Sequence, residues 1–192
     1  VARMVEVFRG VRRVLREDAT CWLNLGDSYA NAGGYSPIYG AKANHGLKTK
    51  DLCMIPARVA LALQADGWWL RSDIIWAKAN PMPESVTDRP TSAHEHVFLL
   101  AATQRYFYDA DAVREPLSTP LHAPGNRTCD AMKAGPMDRG GASQWDRDQS
   151  QVWGNPSGRN LRNVWQVNTQ PFPQAHFATF PPKLVEPCIR AG

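Results

Sequence analysis

The sequence predicts an α/β layered domain, because strand-like and helical segments alternate along the first half of the chain. Residues 19–25 (ATCWLNL) form a short apolar run that ends at a glycine, which is typical of a buried strand. Residues 51–67 carry apolar side chains at helical spacing. Residues 68–78 and 94–109 are rich in aromatic and branched side chains, which favours strands. We expect this last pair to give the sheet an antiparallel edge.

The first sixteen residues predict an amphipathic helix. Its apolar stripe consists of Val1, Met4, Val5, Phe8, Val11 and Leu15. Its arginines lie mostly off that stripe. Such a basic face is either a solvated surface or a contact with nucleic acid, and the pattern favours the solvated surface.

The composition places the chain in a broad class. A hydrophobic fraction of 43% and a charged fraction of 21% are ordinary for a soluble domain, and no apolar run approaches the roughly 20 residues of a membrane span. No signal-peptide pattern is visible, so we expect a cytoplasmic protein. The net charge of +4 permits an anionic partner. The four cysteines form no CxxC pair, which argues against a zinc site and for reduced thiols.

Residues 117–160 differ from the rest of the chain. This segment is polar, rich in Gly and Pro, and without periodicity, and we expect it to be an irregular insert. Loops of this length in compact domains are usually functional or disordered. Its Trp145 and Trp153 could stack on DNA or seal a small core, and the sequence leaves both interpretations open.

The order of several stretches is more specific than any one of them. The chain contains, in succession, VRRVLREDATCWLNLGDSYA, PARVALALQADGWWLRSDIIWAKANPMPES, DRPTSAHEHVFLLAATQRYFYDADAVREP, RNVWQV and HFATFPPKLVEPCIRAG. This succession resembles the amino-group DNA methyltransferases, which transfer a methyl group from S-adenosylmethionine to N6 of adenine or N4 of cytosine. The resemblance covers about residues 1–116 and 159–192. It implies a partial Rossmann-like methyltransferase sheet, divided into a catalytic-side part (1–116), a target-recognition insert (117–160) and a cofactor-side helix region (161–192).

The resemblance also implies where the cofactor lies. In the family, a stretch like HFATFP and the helix that follows it lie against S-adenosylmethionine, which here suggests His176, Phe177, Phe180 and Pro181. Two Phe rings can wall an apolar slot, and free N–H groups at a helix start can face a carboxylate. The alternative is a capped amphipathic helix with buried Phe side chains.

The candidate DNA-contacting residues follow two predicted strands. Trp76 could stack on a flipped base, Lys78 and Asn80 could reach phosphate or base edges, and Pro81 would stiffen the loop. The alternative is a packed Trp beside a Lys at a strand end. Asp27 follows the first strand, where ligands bind in open α/β sheets, but it is equally suited to a turn or a helix cap.

The HEH sequence at 94–96 does not predict a metal site. His94 and His96 share one face of a strand, and two ligands without a third make a poor site. Glu95 points to the other face, where it could pair with Arg89 or Arg71.

No catalytic residue is assigned, because the resemblance places the family's Pro-Pro-aromatic tetrapeptide before Val1. It likewise places the Gly-rich, acid-bearing cofactor loop after Gly192. Pro181-Pro182 is followed by Lys183, and no Gly-x-Gly is present. The order resembles the subclass in which the catalytic half precedes the cofactor half. We therefore expect these 192 residues alone to be inactive.

The resemblance implies a site-specific DNA methyltransferase of a bacterium or phage, acting on double-stranded DNA in a restriction–modification system or alone. A restriction endonuclease of the same system is an expected companion without implied contact. The alternatives are a non-catalytic DNA-binding module or decayed remnant on the same scaffold, and a methyltransferase acting on RNA or a small molecule. The sequence leans towards N4 of cytosine but leaves adenine open.

Overall fold

The computed structural model describes residues 1–30, 46–117, 155, 157–170 and 180–192. Contacts divide the chain into two compact units. The first unit comprises Val1–Asp109 with Arg162–Gly192, and the second comprises Ala110–Leu161. The predicted role of residues 117–160 in target recognition stays a prediction, because most of that range, with Trp145 and Trp153, lies outside the described residues.

The first unit is a mixed α/β structure. Its helices are α1 (Ala2–Val14), α2 (Ile55–Ala65) and α3 (Pro182–Ala191), and its strands are β1 (Thr20–Leu25), β2 (Trp69–Ala77), β3 (His94–Ala101) and β4 (Val164–Gln166). The predicted strand over 94–109 ends at residue 101, and the predicted helix over 51–67 begins at Ile55, one residue before a proline that fits the first turn.

The described strands form one open sheet in the order β1-β3-β2-β4. β3 pairs antiparallel with both β1 and β2, so β1 and β2 run parallel to each other. β4 is parallel to β2. The expectation of a mixed α/β fold is confirmed. The antiparallel strand β3 lies inside the described sheet, so the expectation that it forms an edge is wrong.

One face of the sheet is covered by α1 and α2. The core on this face consists of Phe8, Val59, Ala60, Leu63, Trp68, Phe98 and Leu100. Phe8 of α1 meets Trp68 edge to face, with ring centroids 5.9 Å apart. The apolar stripe predicted for the first helix therefore does pack into a core, and four of its members besides Phe8 pack against that core: Met4, Val5, Val11 and Leu15.

Three arginines in or just after α1 have partners within the chain. Arg9 forms a two-pronged ion pair with Asp66, the residue that ends α2. Arg12 donates to the carbonyl oxygen of Ala102 at 2.9 Å. Arg16 pairs with Asp18 at 2.8 Å. These contacts support the interpretation of a solvated, internally paired face over a nucleic-acid contact.

The other face of the sheet carries two tryptophans from its outer strands. Trp22 of β1 and Trp165 of β4 approach to 6.0 Å between ring centroids. The C-terminal end of α3 lies near the start of β1, because Gly192 contacts Thr20. The carbonyl oxygen of Ala191, the last residue of α3, accepts a hydrogen bond from the backbone N–H of Asp109. Among the described residues, no helix is both long and apolar enough to cross a membrane.

The described part of the second unit contains an antiparallel β-bridge between Glu115 and Arg159. Glu115 and Arg159 exchange two backbone hydrogen bonds of 2.9 Å, and their side chains form an ion pair of 2.9 Å. Gly158 has a φ of +119°, and a Cβ there would lie 2.4 Å from the carbonyl oxygen of Glu115. A residue with a side chain cannot take this position without moving the backbone.

Candidate functional site

The candidate site lies at one edge of the sheet. Because β1, β2 and β4 run parallel, their carboxyl ends meet there, together with the amino end of the antiparallel β3. Ligands of open α/β sheets bind outside the carboxyl ends of the strands. The segment after β1 and the loop over 79–93 between β2 and β3 both start from this edge.

Asp27, directly after β1, acts as a helix cap. Its Oδ1 accepts hydrogen bonds from the backbone N–H of Ser28 at 2.8 Å and of Ile55 at 3.0 Å. Ile55 is the first residue of α2, and Met54 before it makes no side-chain cap. The helix cap, which the sequence allowed as an alternative role for Asp27, is thus present. The predicted contact of Asp27 with DNA stays a prediction.

Lys78, which follows β2, is held inside the protein. Its ammonium group forms an ion pair with Glu95 at the start of β3 and lies 4.4 Å from the ring centroid of Trp76. The two charged side chains are only 18% and 25% exposed. The expected partners of Glu95 were Arg89 or Arg71, and this expectation is wrong. Arg89 instead pairs with Glu84, and Arg71 bonds Tyr106.

Trp76 is a packed side chain with 4% of its surface exposed. Its indole N–H donates to the carbonyl oxygen of Val167, just after β4, at 2.6 Å. Lys78 covers part of the ring. This geometry favours the packing alternative, and stacking on a base stays a prediction that requires the ring to become exposed.

Asn80 and Pro81 belong to the loop that leaves β2. The side-chain oxygen of Asn80 accepts from the backbone N–H of Thr169 at 3.2 Å, and its amide nitrogen lies 3.5 Å from the carbonyl oxygen of Thr169. Pro81 is partly buried. The loop is closed where it begins, because the backbone N–H of Lys78 donates to Ala93 at 2.8 Å. Asn80 thus ties this loop to the segment after β4.

An open groove of about 600 Å³ is lined by residues that follow β1 and by residues of the loop over 79–93. Its described lining includes Tyr29, Lys50, Ser85, Thr87, Asp88 and Arg89. Tyr29 is fixed by a bridge to Leu52, and the guanidinium of Arg89 lies 3.8 Å from its ring centroid. Such an approach is a close cation–π contact.

Two ion pairs hold the cations of this groove. Arg89 contacts Glu84 at 2.5 Å, and Lys50 contacts Asp88 at 2.7 Å. The hydrogen bond from Lys50 lowers the pKa of Asp88, and the same bond raises the pKa of Lys50. Lys50 therefore stays positively charged throughout the physiological pH range.

The residues predicted to contact the cofactor are only partly described. His176 and Phe177 lie outside the described residues. Phe180 is 56% exposed, and Pro181 beside it is fully buried and precedes the first residue of α3. The first turn of α3 contains no acidic side chain.

The histidines on β3 have partners of their own. The rings of His94 and His96 meet edge to face at 5.5 Å, as expected for one face of a strand. His96 Nδ1 lies 2.9 Å from Asp73 Oδ1. Within the described ranges, no group of three or more His, Cys, Asp or Glu side chains is arranged to hold a metal ion.

Comparison with known proteins decides the family. A family model for DNA methylases of the N6/N4 type matches residues 1–192. The chain belongs to this DNA methylase family. This chain is 40% identical over 200 residues to Type II methyltransferase M.SmaI of Serratia marcescens, a match that covers 98% of this chain and 57% of the relative.

Two further relatives have a similar identity to this chain. Type II methyltransferase M.XycI of Xanthomonas campestris pv. cyanopsidis is 44% identical, and M.Cfr9I of Citrobacter freundii is 43% identical. Each match covers 99% of this chain and 55% of the relative. The chain therefore spans about half the length of these relatives.

Sequence reasoning missed Lys50 and Arg89 as candidate site residues. Arg89 was considered only as a partner for Glu95. The available signal was their position in loops next to predicted strand ends. The contacts that bring them together join residues between 38 and 60 positions apart, which no local pattern reveals.

Proposed function

We propose that the protein is a site-specific DNA methyltransferase acting on the exocyclic amino group of cytosine (N4) or adenine (N6). The match of a DNA methylase family model to all 192 residues is the observation that carries this proposal. The similarity to three relatives named Type II methyltransferases supports it. Because the chain spans 55–57% of these relatives, the activity of the whole protein is part of the proposal.

The proposed cofactor is S-adenosylmethionine, which supplies an electrophilic methyl group when bound. The described residues fit such a group. Phe180 presents an exposed ring, Pro181 is buried and fixes the backbone before α3, and the acid-free first turn of α3 suits a carboxylate. We include His176 and Phe177 in the proposed cofactor site from the resemblance.

The sheet is proposed to be part of a Rossmann-like methyltransferase sheet. β1, α2 and β2 form a crossover that joins two parallel strands, as in α/β folds of this kind. The antiparallel β3 lies between them. This arrangement brings the segment after β1 and the loop over 79–93 to the same edge.

We propose that Asp27, Trp76, Lys78 and Asn80 serve the reaction chiefly by fixing the backbone around the target base. Each makes a contact inside the protein that joins two segments of the edge. Pro81 limits the conformations of the loop that Asn80 ties down. A rim held in this way favours a flipped base in one orientation, which is the main contribution that positioning makes to methyl transfer.

The test is methyl transfer by the natural protein at full length. Radiolabelled S-adenosylmethionine and duplex DNA should give labelled DNA, and mass spectrometry of the nucleosides should show N4-methylcytosine or N6-methyladenine. Labelled RNA instead of DNA would contradict the proposed substrate. DNA binding without methyl transfer would favour the non-catalytic module.

The 192-residue chain alone is the comparison for this test. We propose that it does not transfer methyl groups, because its sequence contains neither a Pro-Pro-aromatic motif nor Gly-x-Gly. Labelled DNA from this chain alone would contradict that part of the proposal. We further propose a cytoplasmic location and action alongside, without contact to, a restriction endonuclease of the same system.

A further inference from the structure

The groove beside the sheet edge has a lining that the residues considered so far do not explain. It combines two cations, one carboxylate, two hydroxyl side chains and an aromatic ring, contributed by Lys50, Arg89, Asp88, Ser85, Thr87 and Tyr29. Its volume of about 600 Å³ is in the range of small-ligand sites. The lining therefore offers two cations and several hydrogen-bond donors, and each cation is paired with a carboxylate, Asp88 or Glu84.

The two cations differ in how firmly they are held. Arg89 is fixed, because it stacks on Tyr29 and bonds Glu84, and the side chains of that ion pair are only 23% and 28% exposed. Lys50 is 78% exposed and its partner Asp88 is 53% exposed. Exposed ion pairs contribute little and exchange readily. Lys50 is therefore free to leave Asp88 for another anion at the groove.

This set of side chains matches the chemistry of phosphate recognition. Contacts to the DNA backbone come from Arg and Lys, from hydroxyl side chains and from backbone N–H groups. Lys78 and Asn80, in contrast, are engaged with Glu95 and Thr169. A phosphate contact by either of them would cost an internal bond, whereas Lys50 gives up only an exposed ion pair.

We propose that this groove binds a phosphodiester segment of the DNA backbone, with Lys50 as the exchanging cation, Arg89 as the fixed one and the Ser85 and Thr87 hydroxyls as donors. This inference rests on the proposed function. It assigns the contact with the DNA backbone to residues that the sequence did not predict to contact DNA. Such a contact positions the duplex at the sheet edge without reading its sequence.

The first variant removes the charge of Lys50. Lys50 has a φ of +70°, a conformation that asparagine tolerates, so Lys50→Asn changes charge with little backbone strain. Lys48→Asn is the matched control, because Lys48 lies two positions away, is 87% exposed and does not line the groove. Both variants change the net charge equally.

The measurement is the affinity of the full-length natural protein for duplex DNA as a function of salt concentration. Loss of one phosphate contact should lower the slope of log K against log salt by about 1 and weaken binding roughly fivefold to tenfold near 0.1 M salt. The loss should be the same for specific and non-specific duplexes. Lys48→Asn should leave the slope unchanged.

A second variant tests the opposite direction. Asp88→Asn removes the carboxylate that competes for Lys50, so DNA affinity should rise at low salt. A rise cannot come from damage to the fold. Equal losses in Lys50→Asn and Lys48→Asn, or no effect of either groove variant, would overturn the groove proposal while leaving the proposed function intact. A full-length protein that binds no DNA would overturn both.

Discussion

Asp27 caps α2 across 28 positions of sequence, through the hydrogen bond that its Oδ1 accepts from the backbone N–H of Ile55 at 3.0 Å. The strand β1 and the helix α2 are thereby joined at the edge where the candidate site lies. Met54, which precedes the helix, has a left-handed φ of +55° and makes no side-chain cap. Asp27 therefore provides the side-chain cap of α2 that Met54 does not provide.

Replacing Asp27 separates its structural role from a substrate contact. Asp27→Ala should cost about 1 kcal/mol of unfolding free energy, as for other lost caps, whereas Asp27→Asn keeps an acceptor oxygen and should cost less. Urea unfolding of both variants measures the difference. Equal destabilisation by both would refute the cap. An Asn variant that is stable but cannot methylate DNA would establish the substrate contact instead.

Lys78 and Glu95 should show strong energetic coupling. Lys78→Met or Glu95→Gln alone leaves a largely buried partner and should cost on the order of 1–3 kcal/mol, below the range for fully buried pairs because both side chains keep some exposure. The double variant should cost clearly less than the sum of the two. A double-mutant cycle by chemical unfolding gives the coupling.

The control for this cycle is the ion pair of Arg3 and Glu6, whose side chains are 93% and 59% exposed. Arg3→Ala should change stability by less than about 0.5 kcal/mol. Additive effects at Lys78 and Glu95 would show that the short contact does not persist in solution.

Gly158 should not tolerate a side chain. Gly158→Ala combines a positive φ with a Cβ placed 2.4 Å from a backbone oxygen, and we expect about 1–3 kcal/mol of local destabilisation. Hydrogen exchange at the amides of Glu115 and Arg159 measures it. Gly10→Ala in α1 is the control, because nothing lies within 4 Å of its Cβ, and it should stabilise the helix by about 0.5–1 kcal/mol. Unchanged exchange in Gly158→Ala would exclude the close contact between Gly158 and the bridge of Glu115 with Arg159.

The thiol of Cys188 should react slowly with alkylating reagents. Burial raises its pKa to about 11, so little thiolate is present at pH 8. Site-resolved mass spectrometry after alkylation should show slow labelling of Cys188 in the folded protein and fast labelling in urea. Raising the pH towards 11 should speed the folded-state reaction. Because the folded thiol keeps its proton to a higher pH than the unfolded thiol, its contribution to stability is present at neutral pH and is lost as the pH rises through the folded pKa of about 11. Fast labelling at pH 8 without denaturant would contradict the burial.

Periodicity predicted α1 and α2, because each buries one side of a helical pattern. An apolar run predicted β1, and aromatic and branched residues predicted β2. These patterns could not predict that β3 lies between β1 and β2, since strand order is decided by packing over long distances. β4 is only three residues long and carries too little pattern to be recognised. The partners of Lys78 and Trp76 lie 17 and 91 positions away, so the sequence showed suitable side chains but not that they were already engaged.

The closure of the 79–93 loop by the hydrogen bond between Lys78 and Ala93 has a consequence for how relatives can diverge. Because both ends are anchored, lengthening the loop adds only closure entropy, about 0.6 kcal/mol for each doubling. Insertions near Met82, which is 84% exposed, should therefore be tolerated by the sheet. The loop can change in length and content over evolutionary time while the strands that carry it stay the same.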